Sequence, residues 1–92
     1  MQLEGLIELN TCPDGEATAV RALWYDKRGD WNTAHELVQN ASDRDSAWVH
    51  AYLHRKEGDL ANAGYWYRRS GRSSFNGELD REWEAIAREL LS

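Results

Sequence analysis

Ala51-Tyr52-Leu53-His54-Arg55-Lys56-Glu57-Gly58-Asp59-Leu60-Ala61-Asn62-Ala63-Gly64-Tyr65-Trp66-Tyr67-Arg68-Arg69-Ser70-Gly71 reads as a helix, a tight turn and a second helix folding back. Gly58 can adopt the left-handed backbone that ends a helix and reverses the chain. Asp59 can then accept from the free N–H groups that open the next helix. An earlier stretch repeats the pattern, with Gly29-Asp30 standing 29 residues before Gly58-Asp59. At the same offset Lys27 matches Lys56, Trp31 matches Leu60, Ala34 matches Ala63 and Val38 matches Tyr67. The alanine lets the helices of a hairpin approach closely, and the residue four further on fills the space beside it.

Working outward, the spacing predicts an all-α chain of about five helices in two antiparallel hairpins with a C-terminal capping helix. Hairpin 1 covers 16–40 and consists of helices over 16–28 and 31–40. Ala17, Val20, Leu23, Trp24 and Lys27 make one face of the first, and Trp31, Ala34, Leu37, Val38 and Ala41 form the buried face of the second. Hairpin 2 covers 45–70, with Ser42 or Asp43 as the cap before it. Trp48, Val49, Tyr52 and Leu53 form one face of its first helix, and Leu60, Ala63, Gly64, Trp66 and Tyr67 point inward from its second. The capping helix covers 78–91, with Leu79, Trp83, Ile86 and Leu90 as a narrow apolar stripe. Residues 1–15 are expected to form an extended arm or short strand, packed over the helices or paired in a homodimer. Cys12-Pro13-Asp14-Gly15 reads as a turn, with Asp14 capping the first helix.

A chain of 92 residues makes one domain. Its net charge of −5 argues against a general nucleic-acid binder, which needs a basic field to meet phosphates. No run is long and apolar enough for a membrane helix, and the first residues lack a signal peptide's basic and apolar regions. A single cysteine, Cys12, allows no internal disulfide and suits a reducing compartment. The expectation is a cytoplasmic protein. Arg68, Arg69 and Arg72 form a local basic patch beside Tyr65 and Tyr67. It reads either as a site for phosphate or acidic peptide or as cations placed favourably at a helix C-terminus.

The hairpin pattern resembles the tetratricopeptide repeat, in which a small residue and an aromatic precede a Gly-Asp-like turn and Ala-x3-aromatic follows. The matching residues are Ala22, Tyr25, Gly29, Asp30, Ala34 and Val38, then Ala51, His54, Gly58, Asp59, Ala63 and Tyr67. The likeness covers 16–71, with a period of 29 residues in place of the family's ~34. Residues 53–69 also resemble a segment of small bacterial and fungal helical proteins, a likeness that supplies no activity. The tetratricopeptide resemblance implies a module that binds a protein or peptide through a face lined by the helices over 16–28 and 45–57. By the same resemblance Asn62 would donate to a bound peptide backbone.

Three groups of residues could carry function. Trp48, Tyr52, Tyr65, Arg55, Lys56 and Arg68 are candidate partner contacts, since aromatics and arginine dominate interaction hot spots and the cations can meet a carboxylate. His50 and His54 are four apart and project from one side of a helix, while His35 lies on the preceding helix. With Glu57 three residues after His54, the trio could ligate zinc or another transition metal, or serve as hydrogen-bonded helix–helix packing. Cys12 with a distant histidine is a poor nucleophile pair, because nothing in the sequence places them together. No phosphate-binding glycine loop, dinucleotide fingerprint or nucleophile elbow is present, so no catalytic residue and no cofactor are expected. The leading expectation is therefore a non-enzymatic interaction module. A metal-binding or small hydrolytic protein built on the histidines is the second reading, and a self-associating structural unit the third.

Overall fold

A computed structural model describes all 92 residues and contains six helices and no strand. They are α1 (Leu3–Glu8), α2 (Thr18–Lys27), α3 (Trp31–Gln39), α4 (Arg44–Glu57), α5 (Leu60–Ser70) and α6 (Leu79–Leu91). The two hairpins are α2–α3 and α4–α5, and α6 packs across α4 and α2.

The turns follow from their sequence. Gly29 and Gly58 lie at φ 83° and 91°, where a Cβ would be strained. Behind each glycine, the N–H of Asp30 donates to the Tyr25 carbonyl and that of Asp59 to the His54 carbonyl. The aspartates then cap, Asp30 accepting from the Thr33 N–H at 3.1 Å and Asp59 from the Asn62 N–H at 3.1 Å. Asp43 caps α4 through the Ser46 N–H at 2.9 Å.

Helix α4 is the spine. Every residue from Ser46 to His54 is buried, because α2, α3, α5 and α6 surround it. The core gathers Leu23, Val38, Val49, Leu53, Ala63, Tyr67, Trp83 and Ile86 about it. Burying an indole strands its N–H unless a carbonyl meets it. Trp24 accordingly donates to Leu9 O at 3.1 Å, Trp31 to Leu53 O at 2.9 Å and Trp83 to Leu23 O at 3.0 Å.

Four expectations need correction. Residues 1–15 are not an extended arm, because Leu3–Glu8 forms a helix that seats Leu3 and Leu6 in the core against α6 and α2. Leu3, Leu6 and Ile7 fall at helical spacing, and burial of the two leucines outweighs the ~1 kcal/mol propensity cost of Gly5. Helix α2 starts at Thr18 with Ala17 as its cap residue, so Asp14 caps nothing; it lies in the turn closed by Glu16 N–H to Pro13 O. Leu60 does not point inward but is 68% exposed. Trp48 and Tyr52 are buried and form no open aromatic surface with Tyr65.

Two buried carboxylates fix the remaining geometry. Asp26 of α2 accepts from the Tyr52 hydroxyl at 2.7 Å and from Lys56 Nζ at 2.9 Å. Glu82 of α6 accepts from Arg55 at 2.8 Å and from the Tyr67 hydroxyl. Burial, followed by the adjacent carboxylate, raises both tyrosine hydroxyls well above their ordinary range. Each cluster ties the α4–α5 hairpin to a different neighbour.

Candidate metal centre

Helix α4 presents His50 and His54 one turn apart on the side facing α3 and α5. Helix α3, reversed by the Gly29-Asp30 turn, lays His35 across from them. One ring nitrogen from each of the three histidines lies within 4.8 Å of the other two. The closest pair is His50 Nε2 and His35 Nε2, at 3.1 Å.

Aromatic planes hold the rings. Trp31 stacks on His35 with centroids 4.8 Å apart and planes 7° from parallel. Trp66 of α5 stacks on His50 at 3.9 Å. The imidazoles of His50 and His54 stack on one another at 4.7 Å. Glu57 fixes the third ring, its Oε1 lying 2.5 Å from His54 Nδ1. That contact leaves Nε2 of His54 as the nitrogen without a carboxylate partner.

Electrostatics disfavours the charged form of two of the three rings, His50 and His35. Burial, with smaller contributions from His54 and His35, pushes His50 down to about 4 from its ordinary 6.5. Burial also lowers His35, with His54 adding to the effect and Glu57 and Glu36 opposing it. One ring donates its Nε2 proton to the other across the His50–His35 contact. Whichever ring carries it, His50 Nδ1 is buried with no protein partner. Such an orphan costs ~1–3 kcal/mol, and a ligand held at Nε2 leaves it as it is.

The donor set suits a borderline transition metal. Neutral imidazole is a ligand for zinc, copper or nickel, whereas magnesium and calcium require oxygen. Zn–N bonds of ~2.0–2.1 Å at a tetrahedral centre set nitrogens about 3.3 Å apart. The observed 3.1 Å pair is close to that spacing, and the third nitrogen lies within 4.8 Å of both. Glu57 stands where a carboxylate orients a metal-bound histidine and raises its basicity.

The other candidates are placed differently. Trp48 lies beneath the Arg72 guanidinium at 3.9 Å. Tyr52 and Lys56 are bound to Asp26, and Arg55 to Glu82. Tyr65 and Arg68 are exposed on α5, away from those clusters. Cys12 is half-buried at the core edge and belongs to no group of convergent ligands. The residues missed from the sequence are Trp31 and Trp66, which wall the histidines, and the carboxylates Asp26 and Glu82. Glu82 lies three residues after Leu79 and four before Ile86, inside the apolar stripe of α6, and that position was the available signal.

Comparison with protein-family models, curated proteins and solved structures finds no match. No helix is long and apolar enough to cross a membrane.

Proposed function

We propose that this protein binds a divalent transition-metal ion through His35, His50 and His54. The convergence of three imidazole nitrogens from two helices within 4.8 Å supports this reading. Bound there, the ion joins α3 of the first hairpin to α4 of the second. The three imidazoles leave the fourth tetrahedral position to solvent or a ligand. Because His50 is already deprotonated at neutral pH, the metal displaces no proton from it until the medium is strongly acidic.

Zinc titration followed by calorimetry, with cobalt absorption to report tetrahedral nitrogen coordination, tests the proposal. One equivalent should bind, and binding should disappear in His50→Ala and in the milder His35→Asn, whose side chain is only half-buried. Wild-type protein that takes up neither ion and melts at the same temperature with and without them would overturn it.

A further inference from the structure

The middle of α4, from Ser46 to His54, is enclosed and offers no partner-binding face, and the outer side of α5 is the strongest candidate. Leu60, Ala61, Tyr65, Arg68 and Arg69 are its exposed residues, and helical spacing groups them along one side. Leu60 and Tyr65, at 68% and 44% exposure, are two of the three large hydrophobic residues the molecule exposes, the third being Met1. The stripe therefore runs from an apolar end through an aromatic to a basic end.

The basic end is not neutralised. Neither Arg68 nor Arg69 has a carboxylate within ion-pair distance, nor does Arg44, whose Nη1 would lie 3.9 Å from a Cβ placed on Gly71 at the end of α5. The C-terminus of α5 accounts for cations on its own last turn. It gives no reason for Arg44, which occupies the first turn of α4, where the helix dipole disfavours a cation. Arg69 is also pinned, donating to the Tyr65 hydroxyl at 3.1 Å and lying 5.1 Å over Trp66. A pinned tyrosine–arginine pair loses little freedom on binding.

We infer that this stripe docks an acidic segment of a partner protein, with an apolar side chain of that segment set against Leu60 and Tyr65. Charge complementarity selects the partner: the unpaired Arg68 and Arg69 share the stripe, and Arg44 approaches its end at Gly71, on a chain whose net charge is −5. That overall charge repels a long polyanion such as nucleic acid but tolerates a short acidic segment. The apolar end has no use for a phosphate.

The test is fluorescence polarisation with a labelled glutamate-rich peptide carrying one leucine, against its lysine counterpart. Binding should favour the acidic peptide, weaken as salt rises, and fall about tenfold or more in Arg68→Glu/Arg69→Glu. Tyr65→Ala should weaken it further. All three side chains are exposed, so circular dichroism should show folded variants. Equal binding of both peptides, or an unchanged double variant, overturns the inference. So does preference for anionic vesicles over the peptide, or self-association abolished by the same variant, which would assign the stripe to a membrane or a second copy. None of these readouts depends on metal.

Discussion

Two sets of buried polar groups flank α4, and the protein treats them in opposite ways. On the α2 and α6 sides, Asp26 and Glu82 each receive a tyrosine hydroxyl and a cation, so each charge is met. On the α3 side, three imidazoles face one another with no cation, one carboxylate at the edge and an unpartnered His50 Nδ1. Both arrangements pay for removing polar atoms from water, but only the first recovers the cost within the chain. A carboxylate cluster that closes on itself explains its own presence. The histidine cluster has no such closure, and its facing Nε2 atoms are the groups that a metal could join.

The sharpest way to break this comparison is to open the closed side. Glu82→Ala would leave Arg55 and Tyr67 without their shared partner under α6, and ~3–5 kcal/mol of stability should be lost. Urea denaturation would read this as a large drop in midpoint, and a loss below ~1 kcal/mol would mean the cluster is not holding the helices.

On the open side, the largest effect should come from closing it. Zinc at a hundredfold excess over its dissociation constant should stabilise the fold by ~2.7 kcal/mol. For a chain of this size that raises the melting temperature by about 10 °C or more, and His50→Ala should remove the whole increment.

Acid should separate the two sides without mutation. His50 titrates near 4 in the folded protein and near 6.5 when unfolded. The unfolded chain therefore takes up its proton first, so stability falls as pH drops from about 6.5 to about 4 and this contribution is flat below. In metal-free His50→Gln that portion of the pH profile should flatten. Asp43, held below its ordinary range by the Ser46 N–H despite its burial, contributes only at still lower pH.

The smallest stability effect should come from Glu57→Gln. Glu57 is partly exposed, and its contact with His54 is worth no more than ~1 kcal/mol in metal-free protein. Metal affinity should nevertheless fall ~10- to 100-fold, as for loss of a carboxylate behind a ligand. Equal affinity in the two proteins would remove Glu57 from the site.

The hairpins were legible because Gly29-Asp30 and Gly58-Asp59 combine two local requirements, a left-handed residue and a cap, that depend on nothing distant. His50 and His54 were legible as a pair for the same reason, since helix geometry alone places them together. His35 was named beside them, but the convergence of the three was not legible, because it depends on how one hairpin docks on the other. Leu60 was misread because the start of α5 is uncovered, with Asp59, Leu60 and Ala61 all exposed, and periodicity records a helix face but not where cover ends. The N-terminal helix was obscured by Gly5, whose poor propensity is overridden by a contact with α6 more than 70 residues away in the chain.

The stacked indoles have an optical consequence. Trp66 lies between His50 on one side and Arg69 over its ring, and Trp31 lies flat on His35. Trp24 of α2 and Trp83 of α6 are hydrogen-bonded instead to the carbonyls of Leu9 and Leu23. Protonation of the imidazoles, or the approach of a paramagnetic ion such as copper(II), would quench emission from the first pair more than from Trp24, Trp83 or Trp48, which lies under Arg72. The protein carries its own fluorescent gauge of the histidine cluster and needs no added label.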